Sequence, residues 1–204
     1  MAGHSEELLA TWKDTTANPA PLGLLGFGLT TMMLNIVNTG RVGAAAGIGA
    51  VLALGLFVGG LAQMIAGIME WKKGNTFGTV AFVGYGSFWI SLVFILLSDK
   101  GGLLGKTSPG LLGWYLCLWG VFSFFMFFGT LKSVRVLSFV FGTLTILFFM
   151  LAIHNWTGSA TWGHVAGWVG IVTGFSAFYL AMAEILNEVY GRNVLPIGAG
   201  KTKK

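Results

Sequence analysis

From Asn18 to Thr31 the chain reads NPAPLGLLGFGLTT, a helix start that runs without a break into an apolar segment. Asn18 suits an N-cap, and Pro19 suits the first helical position, where its missing N–H removes no bond. Pro21 falls in the first turn and is tolerated there. A helix opening this way presents free backbone N–H groups and the positive end of its dipole, which favours a small anion. The apolar run carries three glycines, two of them flanking Phe27.

The surroundings of this stretch decide the class. Of 204 residues 55% are hydrophobic and only 9% charged, against roughly 25% charged in soluble domains; mean hydropathy is +0.79. No charge falls between Val42 and Met69, between Thr76 and Ser98, or between Thr107 and Leu131. Each gap accommodates a span of about 20 apolar residues. The expected fold is therefore all-α, a polytopic membrane protein with six transmembrane helices at 20–38, 46–69, 77–97, 110–130, 134–153 and 162–186. A polar tail (1–17) precedes this six-helix transmembrane domain (18–191) and a basic tail (192–204) follows it. The first 17 residues lack the apolar core of a signal peptide.

Lysine and arginine set the orientation. With six spans, Lys13, Lys72, Lys73, Lys132, Arg135, Arg192, Lys201, Lys203 and Lys204 share one side, and Arg41, Lys100 and Lys106 lie on the other. Both termini are expected in the cytoplasm, in a plasma-membrane protein. The positive charge thus reports topology, not nucleic-acid binding. Glycine, at 32 of 204 residues, is about twice as frequent as usual. Small residues four apart (Gly43/Gly47, Gly55/Gly59, Ala62/Ala66, Gly163/Gly167, Gly170/Gly174) predict close helix packing.

A repeat runs through the spans. Gly26-Phe27-Gly28 in the first is matched by Gly84-Tyr85-Gly86 in the third and, less closely, by Gly142-Thr143-Leu144 in the fifth. In the even spans Gly60, Gly120 and Gly174 stand ten residues before Glu70, Thr130 and Glu184, and three residues before Gln63, Ser123 and Ala177. The pattern predicts three helix hairpins, each contributing one central residue from its odd helix.

NPAPLGL (18–24), followed by GFG and Thr30-Thr31, resembles the signature of the acetate uptake transporter family, the acetate/succinate permeases of bacteria, archaea and fungi. EWKKGNTFG (70–78), YGSFW (85–89), LWGVF (118–122), MFFGTLK (126–132), HVAGW (164–168), YLAMAEILNE (179–188) and NVLPIG (193–198) extend the resemblance to the bacterial members in the same order. It implies a six-helix protomer built of three hairpins around a central pore, assembled into a homohexamer with one pore per protomer. It also implies a hydrophobic constriction at Phe27, Tyr85 and Leu144, the positions marked by the repeat, with Ala177 bearing on substrate size.

The chemistry of individual residues is weighed against simpler roles. Aromatic edges carry partial positive charge, so Phe27 and Tyr85 can face a carboxylate edge-on, and the flanking glycines would leave room beside each ring for solute; both rings could equally be core. Val83-Gly84-Tyr85-Gly86 also looks like a potassium filter, but it sits mid-span with no separate pore helix. Asn18, Thr30, Thr31, Gln63 and Ala177 are the substrate-binding candidates. Among polar side chains Gln63 is the best placed to bond a carboxylate, a helix–helix bond being its alternative; Thr30, Thr31 and Tyr85 follow it. Glu70, Glu184 and His164 are proton-linked candidates; the glutamates could instead form rim ion pairs with Lys72, Lys73 or Arg135, and His164 could be a plain interfacial histidine. Cys117 is expected to be a small apolar core residue. With no CxxC, HExxH or phosphate loop, no enzyme, cofactor or metal is expected. Transport of acetate, with succinate or other small carboxylates, by anion conduction or proton symport is the leading reading. A urea- or amide-type channel and a non-transporting scaffold are the alternatives.

Overall fold

The structure, a computed structural model, describes residues 16–42, 47–102 and 105–198. Within them the chain forms six long helices: α1 (Ala20–Asn38), α2 (Gly49–Lys72), α3 (Thr76–Gly101), α4 (Pro109–Thr130), α5 (Arg135–Thr157) and α6 (Ala160–Val189). All six are long and apolar enough to cross a membrane, and their ends depart from the sequence expectation by no more than four residues. Most of the two polar tails, and Gly43 of the first small-residue pair, lie outside the described residues.

Local chemistry explains the helix ends. The Asn75 side chain accepts from the Gly78 N–H at 3.0 Å and starts α3; Ser108 accepts from Leu111 N–H at 3.2 Å ahead of Pro109 and starts α4. Gly102 and Gly158, with φ of 70° and 66°, end α3 and α5 in the left-handed conformation that glycine adopts freely. At α1 the sequence expectation is off by one residue: Asn18 Oδ1 does accept from Ala20 N–H at 3.1 Å, but the regular helix begins at Ala20 and Pro19 is the flanking residue. The cause is that the Pro19 carbonyl, not that of Asn18, receives the first backbone bonds, from Leu22 and Gly23.

The helices stand in a ring. The most extensive packing joins α2 to α3, α4 to α5 and α6 to α1, with lighter seams between α1 and α2 and between α5 and α6, and the lightest between α3 and α4. The first and last helices therefore close the ring. They do so through glycine: a Cβ on Gly28 would lie 2.8 Å from the Gly174 carbonyl oxygen, and one on Gly174 would lie 2.8 Å from that of Gly28. The predicted small-residue stripe of α6 is this seam, since Gly167 and Gly170 likewise meet α1 at Thr39 and Asn35. Large apolar side chains such as Leu118, Phe125, Ile146 and Phe175 cover the outside of the ring, as hydrocarbon requires.

One helix is irregular. Residues Phe57–Ala62 of α2 form a π turn, and α-helix resumes at Gln63. The wide turn takes up more residues than an α turn, so the side chains after it are rotated from where a regular 3.6-residue period would put them. Thr30 of α1 packs into this turn, with Oγ1 donating to the Leu54 carbonyl at 3.3 Å.

Because both partners at the α1–α6 seam are backbone, neither can yield to an added side chain. Gly174→Val should exceed the ~1–3 kcal/mol typical of overpacking and lower the melting temperature of the detergent-purified protein by about 5 °C or more. A melting curve unchanged from wild type would show that the seam is looser than described.

Candidate functional site

The odd helices each send a mid-span side chain to the axis of the ring. Phe27 from α1, Tyr85 from α3 and Leu144 from α5 are buried and line one small cavity together. The Phe27 and Tyr85 ring centroids are 5.6 Å apart, tilted by 55°. Three residues earlier in each helix stand Leu24, Phe82 and Phe141, which border this cavity on one side and a second cavity on the other. Three residues rise about 4.5 Å along a helix, so the odd helices stack two apolar layers around a chamber. The chamber measures about 20 Å³, room for about one water.

Towards the end where both chain termini lie, the passage widens. Seven residues before the first layer the odd helices carry Ala20, Gly78 and Leu137, two of them small, and here the second cavity opens to about 90 Å³. Glu70 of α2 and Glu184 of α6 both line it. Asn75 Nδ2 donates to Glu70 Oε2 at 2.7 Å, and Asn18 Nδ2 donates to Glu184 Oε2 at 3.1 Å. Each asparagine thus ties the end of an even helix to the start of the odd helix packed on it, its Oδ1 bonded to the helix N–H groups and its Nδ2 to the carboxylate. The third corner lacks this arrangement. Thr130 replaces the acid and donates to its own helix, at Phe127 O, and the first N–H groups of α5 (Arg135 and Val136) bond the carbonyls of Gly198 and Ile197.

Several sequence expectations are corrected here. The α1 start is not an open anion site, because the Asn18 amide that guards it already bonds the Glu184 carboxylate. The flanking glycines do not make room beside the rings. Neighbours along a helix point about 100° apart, so Gly26 and Gly28 face the α2 and α6 backbones while Gly86 faces Met64 and the Gly60 carbonyl. Tyr85 does not offer its hydroxyl proton to solute: Ser123 Oγ, 2.8 Å away, donates its own proton to Trp119 O, so the Tyr85 hydroxyl donates to Ser123. The glutamates meet asparagine amides where rim ion pairs were the alternative.

The candidates divide by position. Gln63 lines the chamber at 1% exposure, and its Oε1 has no hydrogen-bond partner among the described residues. Thr30, Thr31 and Ala177 are buried but line neither cavity. Thr31 Oγ1 is unpartnered, as is Trp89 Nε1 at the matching position of α3, four residues beyond Tyr85. His164 is exposed against Gly40 at the opposite end from the two acids; twenty residues separate it from Glu184, about 30 Å of helix. The three proton-linked candidates therefore do not form one cluster. Sequence reading passed over the Leu24/Phe82/Phe141 layer, Asn75 and Trp89. Shifting the repeat by three residues one way, or four the other, would have marked the layer and Trp89.

With the geometry in hand, comparison with known proteins is specific. Residues 4–196 match the GPR1/FUN34/yaaH family. The chain is 60% identical over 182 residues to the succinate-acetate/proton symporter SatP of Escherichia coli K12, covering 89% of this chain and 95% of that one. It is 32% identical over 198 residues to acetate permease A of Emericella nidulans, covering 89% of this chain and 65% of that one. The solved structure of the bacterial acetate channel SatP superposes with a TM-score of 0.87 at 58% identity, over 90% of this chain and all of that one.

The Tyr85–Ser123 bond makes a separable prediction. Ser123→Ala leaves a buried hydroxyl without an acceptor and should destabilise the protein by about 1–3 kcal/mol, whereas Tyr85→Phe combined with Ser123→Ala should recover most of that loss. Thermal unfolding of the two single variants and the double variant measures the coupling; additive losses would count against the bond.

Proposed function

The chain belongs to the GPR1/FUN34/yaaH family, and from that premise we propose that it carries acetate, together with succinate and other small carboxylates, across the plasma membrane through a pore in each protomer. The observation that carries this reading is the stack of two apolar layers on the ring axis, opening onto an acid-lined vestibule. Its relatives by sequence and structure are transporters and a channel.

In this reading Phe27, Tyr85 and Leu144 are the constriction, and Ala177, buried on α6, limits solute size from behind it. Gln63 bonds solute inside the chamber. Asn18 and Glu184 together shape the vestibule mouth, and Thr30 and Thr31 act on the side of the constriction away from it. Glu70 and Glu184 take part in proton coupling from the vestibule, with His164 a separate titrating group at the other mouth. The lysine and arginine count puts both termini, and hence the vestibule, on the cytoplasmic side. The family resemblance supports a homohexamer in the bilayer, with residues 18–191 as the pore domain between two polar tails. A scaffold would have no use for a stacked passage, and the relatives named above are acetate carriers and an acetate channel, which favours a carboxylate over urea.

The deciding measurement is uptake of labelled acetate and labelled urea into vesicles holding the purified protein, against protein-free vesicles. Acetate should enter above the control and faster than urea; acetate uptake equal to the control would end the reading. Phe27→Ala and Leu144→Ala should raise flux or admit larger carboxylates. Unchanged flux and selectivity in both variants would remove these residues from the constriction.

A further inference from the structure

Two of the three odd helices start beside an asparagine, and the third does not. Asn18 and Asn75 each accept a helix N–H on Oδ1 and donate from Nδ2 to a glutamate of the adjoining even helix. Val134 stands before α5, and a valine side chain has no polar atom to offer a helix start. The even helix ahead of it ends on Thr130 where the others carry an acid. The first N–H groups of α5 would thus lack acceptors. The far end of the chain supplies them. Arg135 N–H donates to Gly198 O at 2.9 Å, and Val136 N–H donates to Ile197 O at 3.4 Å.

The segment that delivers these carbonyls is itself held. After α6 the chain turns at Gly191, with φ of 61°, and runs to the start of α5. Asn187, in the last turn of α6, takes Val194 N–H at 2.6 Å and Leu195 N–H at 2.9 Å on Oδ1, and donates from Nδ2 to Leu195 O at 2.9 Å. The Tyr179 hydroxyl, eight residues earlier on the same helix, donates to Pro196 O at 2.8 Å. Ile197 packs against the apolar core. Gly198 has φ of 65°, and a Cβ there would lie 2.9 Å from Arg135 Cβ, so both backbone and space call for glycine. Ordering exposed backbone costs conformational entropy at every residue. Here that cost is offset by bonds to α6 on one side and α5 on the other.

We propose that residues 194–198 are a strap that seats α5 in the ring, and that Asn187 is the positioning residue that holds the strap. α5 carries Leu137 at the vestibule, Phe141 between the two cavities and Leu144 at the inner layer. Each turn of a helix is bonded to the next, so a shift of the first turn is carried to all three. The strap therefore contributes to solute size discrimination while touching no solute itself. That consequence rests on the carboxylate-transport reading above; the seating of α5 does not.

The test uses the full-length protein, as wild type and with Asn187→Leu, Asn187→Asp or Tyr179→Phe. Leucine keeps the bulk of the side chain and loses every bond, whereas aspartate keeps the oxygen that takes both N–H groups. In detergent, amide hydrogen exchange at Arg135 and Val136 should quicken by about threefold or more in Asn187→Leu, with the start of α3 unchanged and Asn187→Asp close to wild type. Wild-type exchange in Asn187→Leu would overturn the strap, and aspartate behaving as leucine does would overturn the role of the Asn187 oxygen. In vesicles, the ratio of labelled butyrate uptake to labelled acetate uptake should rise by about threefold or more in Asn187→Leu and return towards wild type in Asn187→Asp. An unchanged ratio beside faster exchange would overturn the positioning role, since a purely structural tie alters the amount of folded protein and not the ratio. Wild-type acetate uptake no greater than in protein-free vesicles would overturn the transport reading, and the exchange measurement would still decide the strap. Where Asn187→Leu does not fold, Tyr179→Phe removes one bond to the strap and should shift both readouts in the same direction; wild-type exchange there would overturn the strap equally.

Discussion

The approach of α1 to α6 at Gly28 and Gly174 is the contact on which the rest of the structure depends. These helices are first and last in the chain, and only their meeting turns six antiparallel spans into a closed ring. Each glycine leaves room for the other's carbonyl, and a side chain on either would push the helices apart. With the ring closed, α1, α3 and α5 converge on one axis at matched heights, and Phe27, Tyr85 and Leu144 meet. With it open, they would be three unrelated apolar residues in three apolar helices.

Closure also accounts for how polarity is distributed along the passage. The layers at Phe27 and Leu24 fill the axis with rings and branched aliphatic groups. At the level of Ala20 and Gly78 the side chains shrink and a vestibule forms, bordered by Glu70 and Glu184 from the even helices. Each acid is held by an asparagine at the start of the adjoining odd helix, so the helix N-terminus and the carboxylate share a small polar network at the mouth. The result is a gradient from a vestibule bordered by two carboxylates to a chamber walled by rings and aliphatic groups.

Much of this was legible in the sequence, for identifiable reasons. Charge-free runs of span length fix six helices, because a bilayer core admits few charges. The Gly-aromatic-Gly recurrence fixed the register of the central layer, because a repeat places equivalent residues at equivalent depths. What sequence misread was direction. The glycines beside Phe27 and Tyr85 looked like space for solute, yet on a helix they point sideways into neighbouring backbones. The Asn18 start looked like a free anion site, yet its N–H groups bond Asn18 Oδ1 and the Pro19 carbonyl, and its amide donates to a carboxylate 166 residues away. The Tyr85 hydroxyl looked available, yet Ser123 on the next helix takes its proton.

By itself, then, the sequence determined the class of the protein, the number and order of its spans and the depth of its central residues. These follow from local composition and spacing, which the membrane converts directly into helices. The tertiary structure alone decided which side of each helix faces the axis, which polar groups are already partnered, and which are left over. Those depend on contacts between residues distant in the chain, and on the π turn at Phe57–Ala62, which rotates the remainder of α2. Gln63 shows the division: its depth in the membrane could be read from spacing, but its unpartnered oxygen exists only once the ring has closed.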